Sequence, residues 1–259
     1  MDTNACQEHL LSSVKNALRI LRTFSLDEPE KRVTALAAEL GLAKSTVSRL
    51  LTTLASEGFV VKDPETQTYH LGLSVLNLNT VLTSKLEVNR ESLPTLQKLV
   101  QDLGETAHIA TLAGTDVVYL NRVECSRPVH LLSHIGRRNP VHCTSSGKVM
   151  LAYQNKTIIN QFIARGLERY AVNTITDPEE FRTALAAIRE REYATSTEEI
   201  RRGVASIAAP IRDYTGRVVY AVTVIGPVSR MQLTNTAVIT KVKNAAREIS
   251  CNLGYYKRK

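Results

Sequence analysis

The 259-residue sequence has no hydrophobic run long enough to cross a membrane, which takes about 18 or more consecutive apolar residues. Residues 1–18 also lack the basic start and the apolar core of a signal peptide. These absences predict a cytoplasmic protein with no membrane partner. Hydrophobic residues make up 43% of the chain, which is enough for one or two domains that each bury a core.

Cysteine is scarce and scattered along the chain. The four cysteines are Cys6, Cys125, Cys143 and Cys251. No CxxC pair occurs, so neither a disulfide framework nor a zinc site is predicted, and reduced thiols are expected. A thiol sensor stays open as an alternative, because Arg127 and Lys148 place positive charge close in sequence to Cys125 and Cys143.

Motifs typical of enzymes are also missing. The sequence contains neither GxSxG nor HExxH, and a phosphate-binding P-loop would need glycine and a hydroxyl residue where His142 and Val149 stand. His130 and His134 would share one face of a strand, but no motif in the sequence supplies the further ligands that a metal ion needs. The charged cluster of Glu198, Glu199, Arg201 and Arg202 is interpreted as a solvated helix end or loop. We therefore predict no catalytic residue, no metal and no cofactor; an enzyme acting on a small acid stays as the weaker alternative.

The positive charge of the chain is unevenly distributed. A net charge of +8 and an isoelectric point near 9.4 suggest an anionic partner. Residues 1–85, however, carry nine basic and nine acidic residues, so the whole excess lies in the remaining 174 residues. The overall charge is therefore no evidence for a nucleic-acid site near the N-terminus.

The most informative segment is the predicted helix Lys44–Ser56. At 100° per residue, one side carries apolar residues, namely Val47, Leu50, Leu51 and Leu54. The other side and its margins carry hydroxyls and two cations, namely Lys44, Ser45, Thr46, Ser48, Arg49, Thr52 and Thr53. Short hydroxyl donors and an arginine fork can reach phosphate oxygens and base edges, so these residues are the predicted DNA-binding set.

The residues before this helix add the spacing of a helix-turn-helix. Thr34 is expected to cap a helix over 35–40, Gly41 to supply a left-handed turn, and Leu42 to pack under the second helix. An apolar stripe over residues 11–25 predicts the first helix of a three-helix core. The second helix of such a motif enters the major groove of duplex DNA.

Two β-rich runs follow around the turn signal Asp63-Pro64-Glu65. A hairpin in this place is a wing, in which Lys62 and residues 66–68 would contact DNA phosphates. The alternative is a hairpin that only closes the small core.

Residues 72–103 are helical in pattern. We predict a linker helix over 72–87, whose exposed leucines favour dimerisation, and a fresh helix start at Ser92, just before Pro94. Beyond Glu105 the pattern alternates between strands (residues 106–114, 116–124, 128–136, 203–213 and 216–226) and helices (147–154, 157–165, 178–192 and 234–253). Hairpins at both ends of this region predict an α+β fold with a mainly antiparallel sheet flanked by helices.

Several blocks in this order resemble the IclR family of bacterial transcriptional regulators. They are GLAKSTVSRLLTTLASEGFV, YHLG, SHIGRRNPVHCTSSGKVMLA, EEIRRGVASIAAPIRD and VYAVTVIGP. The resemblance implies a winged helix-turn-helix over 1–71, a linker helix over 72–87 and a GAF-like effector domain over 88–259. It also implies homodimers or dimers of dimers on palindromic DNA operators and a role as repressor of a catabolic operon. Within the family, IGRRNP and AAREISCNLGY resemble the 2-keto-3-deoxygluconate repressor type.

The effector site is predicted first at Thr144, Ser145, Ser146 and Gly147, which lead into an apolar helix. The free N–H groups at a helix start suit a carboxylate, although simple capping by Ser145 or Ser146 is an equal alternative. The resemblance adds Ser196, Ser206, Thr223 and Ile225 to the effector-binding set. Glyoxylate-responsive members have an acidic residue, a cysteine and a serine where Ser196, Ser206 and Ile225 stand here. We therefore expect a different small organic acid or sugar acid.

Overall fold

A computed structural model describes residues 11–25, 27–129 and 134–256 of the chain. Cys6 and His130, which enter the sequence predictions above, lie outside these residues, as does the middle of the strand predicted over 128–136. The chain divides into two compact units, residues 1–85 and residues 86–259.

The first unit is built from helices and one hairpin. Its elements are α1 (Ser12–Thr23), α2 (Val33–Leu40), α3 (Lys44–Ser56), β1 (Val60–Lys62), β2 (Tyr69–Leu71) and α4 (Ser74–Ser84). The core includes Ile20 from α1, Leu36 from α2, Val47 and Leu51 from α3, and Tyr69 from β2. Leu42 packs against this core, and Gly41 adopts the left-handed conformation at φ 66°, as predicted. The bounds of α3 are those that the sequence predicts.

The start of α2 differs from the prediction. Thr34 lies inside the helix, which begins at Val33 with Arg32 as N-cap and no side-chain cap. The backbone of Lys31 pairs with that of Tyr69 through hydrogen bonds of 2.9 and 2.8 Å. This pairing with the hairpin, rather than a hydroxyl cap, fixes where the helix begins.

The second unit contains a sheet with helices on both faces. Its helices are α5 (Glu87–Leu103), α6 (Ser145–Ala152), α7 (Lys156–Ala164), α8 (Pro178–Arg191) and α9 (Thr236–Asn252). Its strands are β3 (Thr106–Ala113), β4 (Asp116–Val123), β5 (Arg138–Pro140), β6 (Ala194–Thr197), β7 (Val204–Arg212) and β8 (Val218–Pro227). Among the described residues the strands form one antiparallel sheet in the order β5-β4-β3-β8-β7-β6. One core lies between the sheet and α6 to α8, and a second lies between the sheet and α5 and α9.

Two helix starts predicted in this unit are wrong. No helix begins at Ser92, because α5 already starts at Glu87 and continues through Pro94. Val88, Leu96 and Leu99 share one buried face, and its burial offsets the hydrogen bond that proline cannot donate. The second error concerns α6, which begins at Ser145 rather than Gly147 and is capped by the hydroxyl of Thr144 rather than by a serine.

The sequence also misses the edge strands β5 and β6. Each is short, with three and four residues, and neither shows the apolar alternation that marks a longer strand. The described residues that flank 130–133 contain no strand where one was predicted over 128–136.

Candidate nucleic-acid interface and ligand cavity

The outer face of α3 is exposed and free of acidic side chains. All seven predicted residues of this helix are exposed, namely Lys44, Ser45, Thr46, Ser48, Arg49, Thr52 and Thr53. Thr52 and Thr53 donate their hydroxyl protons to the carbonyls of Ser48 and Arg49, at 3.0 and 3.1 Å. Their outward atoms are therefore acceptor lone pairs and methyl groups, which leaves the two cations, the two serines and Thr46 as donors on this face.

The hairpin tip is ordered by Asp63. Its carboxylate accepts backbone hydrogen bonds from Glu65 and Thr66 at 2.7 and 3.0 Å, and these bonds lower the pKa of Asp63. Lys62 is exposed, with its Nζ 6.0 Å from the centroid of the Tyr69 ring. A cation at this position can reach a phosphate backbone, which fits a wing that contacts DNA. The apolar side of the hairpin closes the core, so the alternative interpretation, a structural hairpin, fits as well.

A cavity of about 20 Å³ lies where the start of α6 meets the sheet of the second unit. Seven of the eight predicted effector residues line it, namely Thr144, Ser145, Ser146, Ser196, Ser206, Thr223 and Ile225. Gly147 is not among the lining residues. A Cβ there would lie 2.2 Å from the carbonyl oxygen of Val141, so the glycine allows α6 to approach that backbone.

The remaining lining residues of the cavity were not predicted from the sequence as ligand contacts. These are His108, Tyr119, Asn139, Cys143, Ile200 and Val204. His108 on β3 is the register partner of Thr223 on β8, so both side chains lie on the same face of the sheet. A histidine inside the apolar run TAHIATLA is the one signal that could have found it.

Hydrogen bonds tie the predicted polar residues to one another. Ser145 and Ser206 share a hydrogen bond of 2.7 Å between their hydroxyl oxygens, and Ser196 donates to the carbonyl of Cys143 at 3.2 Å. The Thr144 cap accepts from the N–H of Gly147 at 3.2 Å. The N–H groups of Ser145 and Ser146 precede the first intrahelical bond, and with the helix dipole they favour an anion at this end of the cavity.

His108 is unusual among the lining residues. Its exposed fraction is 1%, and neither ring nitrogen has a hydrogen-bond partner within the described part of the chain. Burial, with a smaller contribution from the charge of Arg122, lowers the pKa of His108 to about 3. The ring therefore stays neutral and packs edge-on against Tyr119, with 4.5 Å between the ring centroids.

The interpretation of Glu199 as part of a solvated loop is wrong. Its carboxylate is buried against the ammonium of Lys148 on α6, at 2.5 and 2.7 Å from Nζ to the two oxygens. Burial lowers the pKa of Lys148 and raises that of Glu199, while their mutual attraction opposes both shifts. The sequence could not pair these residues, because they are 51 positions apart. Arg201 and Arg202 are exposed, as expected.

The geometry gives no support to a thiol sensor. Burial, with a contribution from the charge of Glu199, raises the pKa of Cys143 to about 12, so the reactive thiolate is disfavoured. Cys125 is also buried, and its sulfur lies 3.6 Å from the hydroxyl of Thr106.

Neither a metal site nor a membrane span is found in the described ranges. No group of three or more His, Cys, Asp or Glu side chains there could hold an ion. Every helix within these same ranges is too short or too polar to pass through a bilayer.

A larger cavity, of about 440 Å³, lies between α9 and β7. Its rim cations already have partners: Lys243 and Arg247 face the carboxylate of Glu192, and Arg212 donates to the carbonyl of Gly216. The smaller cavity is the better ligand candidate, because its polar atoms are buried and partly unpartnered.

A winged helix-turn-helix with a hydroxyl-rich second helix, and a second unit with a small polar-lined cavity, are typical of a DNA-binding transcriptional regulator. Two family comparisons agree. The IclR helix-turn-helix domain matches residues 13–64, and the domain described as bacterial transcriptional regulator IclR C-terminal matches residues 80–251. The chain belongs to the IclR family.

Individual relatives give the same result along nearly the full length. The regulator XynR of Escherichia coli (strain K12) is 31% identical over 252 residues, covering 95% of this chain and 98% of the relative. KdgR of Dickeya chrysanthemi is 30% identical over 252 residues, covering 96% of this chain and 82% of the relative. These proteins are transcriptional regulators and not enzymes.

Solved structures agree on the fold. An IclR homolog from Microbacterium hydrocarbonoxydans, solved as a complex with 4-hydroxybenzoate, has a TM-score of 0.82 at 25% identity, covering 93% of this chain and 98% of that one. A regulator from Alicyclobacillus acidocaldarius also has a TM-score of 0.82, at 27% identity, covering 95% of this chain and all of that one.

Proposed function

We propose that this protein is a cytoplasmic repressor of a catabolic operon and that a small organic acid or sugar acid in the α6 cavity releases it from the operator. The observation that carries the proposal is the convergence of seven predicted effector residues on one cavity at a helix N-terminus. The relative solved with 4-hydroxybenzoate supports an acid as the ligand class, and relatives named as repressors support the direction of regulation.

The exposed face of α3 supplies the proposed DNA contacts. Ser45, Thr46, Ser48, Arg49 and Thr52 would read or hold the major groove, with Lys44 and Thr53 at the margins and Lys62 on a phosphate. Because the unit is neutral overall, the absence of acidic side chains from this face is what favours DNA here rather than elsewhere on the unit.

The proposal includes a dimer, or a dimer of dimers, on a palindromic operator. The apolar side chains of α4 and its N-cap support it: Leu73, Leu76, Leu78, Val81 and Leu82 are all more than half exposed. Apolar side chains left exposed around one helix are typical of a surface that a second chain covers. The boundaries proposed for the domains are 1–71, 72–87 and 88–259.

The test is a gel-shift titration of the full-length protein against the DNA upstream of its own gene at low ionic strength. We expect nanomolar-range binding that a subset of organic acids weakens, and a Tm that the same acids raise. Failure to bind this DNA with or without acids would contradict the regulator proposal. Binding that no acid alters would contradict only the proposed effector class.

A further inference from the structure

The ligand cavity contains two buried polar side chains whose hydrogen-bonding atoms are unused. His108 and Thr223 are each 1% exposed. Both imidazole nitrogens and the Thr223 hydroxyl lack a hydrogen-bond partner among the described residues. Buried polar groups without partners are rare in folded proteins, because each gives up its water without replacement.

The position of the two residues is rigid. They are register partners on β3 and β8, which lie in the middle of the antiparallel sheet, and Tyr119 packs edge-on against the imidazole. Groups held on central strands keep their geometry better than groups on loops. His108 and Thr223 therefore present a fixed pair of hydrogen-bonding groups to anything that enters the cavity.

The chemistry of the pair differs from that of the α6 end. The start of α6 offers backbone N–H groups and a partial positive charge, which suit a carboxylate. His108 offers one N–H donor and one bare nitrogen, and Thr223 offers a hydroxyl, none of them charged. Lys148 is unavailable to a ligand because Glu199 occupies its ammonium.

The size of the cavity limits what reaches this pair. A volume of about 20 Å³ has room for roughly one water-sized group. A whole ligand therefore needs some lining side chains to move, and the sheet residues are the least able to do so.

We propose that His108 and Thr223 are specificity-determining residues that hydrogen-bond an uncharged oxygen of the ligand, a hydroxyl or a carbonyl, while its carboxylate lies at the start of α6. This inference rests on the proposed function and goes further, because it requires an acid with a second, uncharged oxygen. An acid of the same shape without that oxygen leaves His108 and Thr223 unpartnered and binds more weakly.

The test uses pairs of acids that differ by one oxygen: lactate against propionate, and 4-hydroxybenzoate against benzoate. Calorimetric titration of the full-length protein should show that one oxygenated acid binds at least ~10-fold more tightly than its partner. His108→Phe and Thr223→Val should reduce this ratio to within about twofold while retaining the weaker acid's affinity.

Two variants serve as controls. Thr223→Ser keeps a hydroxyl and should keep the preference. Thr95→Val removes a buried hydroxyl of α5 that donates to Glu248 at 2.9 Å, away from the cavity, and should also keep it. Without ligand, Thr223→Val should leave Tm unchanged or raised, because no hydrogen bond is lost, whereas Thr95→Val should lower it.

The outcomes separate this inference from the function on which it rests. If the wild type binds both members of a pair equally, or if His108→Phe and Thr223→Val keep the preference, the role of these two residues is wrong and the acid site stands. If Thr223→Val lowers Tm as much as Thr95→Val does, the Thr223 hydroxyl makes a stabilising hydrogen bond within the protein, and the inference is wrong. If none of the four acids binds the wild type, this inference fails, whereas the wider acid class is judged by the gel-shift and Tm measurements of the proposed function.

Discussion

Lys148 and Glu199 form an ion pair inside the second unit, with Nζ 2.5 and 2.7 Å from the two carboxylate oxygens and both side chains less than a tenth exposed. The pair fixes the loop between β6 and β7 to α6, the helix whose start lines the ligand cavity. Thr174 adds to this attachment by donating its hydroxyl proton to the carbonyl of Glu199 at 2.5 Å.

Removing one partner of this pair should destabilise the protein strongly. We expect Lys148→Met or Glu199→Gln to reduce the free energy of unfolding by about 3–5 kcal/mol, because each leaves a buried polar partner behind. The double variant Lys148→Met/Glu199→Leu should lose clearly less than the sum. Urea unfolding measures this, with Arg90→Met as control, since the Arg90 side chain is 82% exposed and its pair with Glu91 contributes about 0–1 kcal/mol. Additive losses would mean that the two groups do not interact.

Arg49→Ala should weaken operator binding by about 1–3 kcal/mol if the guanidinium makes a bidentate contact to a base. Arg49→Lys should recover only part of this loss, because an ammonium cannot form the planar fork. A gel shift at fixed salt measures both effects. Arg22→Ala removes the same charge from an exposed position on α1 and should change affinity little. If Arg22→Ala and Arg49→Ala weaken operator binding equally, Arg49 contributes only its charge and makes no specific base contact.

The pH dependence of stability should contain a contribution from His108. Its pKa is about 3 in the folded protein and about 6.5 in the unfolded chain, so between these values the unfolded state binds the extra proton. Stability due to this group is therefore complete above pH 6.5 and decreases as pH falls toward 3. At pH 5 the wild type should have lost ~2 kcal/mol more than His108→Phe, relative to pH 7.

Urea unfolding of both proteins at pH 7 and pH 5 measures this difference. Thr223→Val retains the imidazole and should follow the wild type. Parallel behaviour of His108→Phe and the wild type would show that the ring is protonated as easily in the folded protein as in the unfolded chain.

The two cysteines Cys143 and Cys251 should differ sharply in reactivity. The pKa of Cys143 is raised to about 12, so at pH 8 about one molecule in ten thousand carries its thiolate, whereas Cys251 is exposed on α9. After brief treatment with an alkylating reagent, mass spectrometry should find Cys251 modified and Cys143 modified only in urea. Rapid modification of Cys143 in the folded protein would restore the thiol-sensor alternative.

Most features that the sequence predicts correctly carry a local signal. The bounds of α3 and the left-handed Gly41 follow from periodicity and turn chemistry over a few residues. Prediction fails where a distant contact overrides a local preference. Lys31 pairs with Tyr69 and sets the start of α2, and packing of α5 on the sheet retains Pro94 inside a helix.

The cavity beside α6 likewise combines residues that the sequence predicted with residues that only the fold brings there. The motif around Ser145 and the family resemblance located seven lining residues, but both are silent about His108. A histidine in an apolar strand has no local preference for a cavity; it reaches one because β3 pairs with β8 in a particular register.

The sequence by itself determined the order of the longer helices and strands, the two-sided character of α3 and the family, because periodicity, turn residues and motif order are written within short segments. The tertiary structure decided which polar side chains are buried together. Lys148 meets Glu199, and His108 lies opposite Thr223, because sheet register and helix packing join positions far apart in the chain. Burial shifts the pKa values of Lys148, Glu199 and His108, and it leaves the hydrogen-bonding atoms of His108 and Thr223 without partners among the described residues.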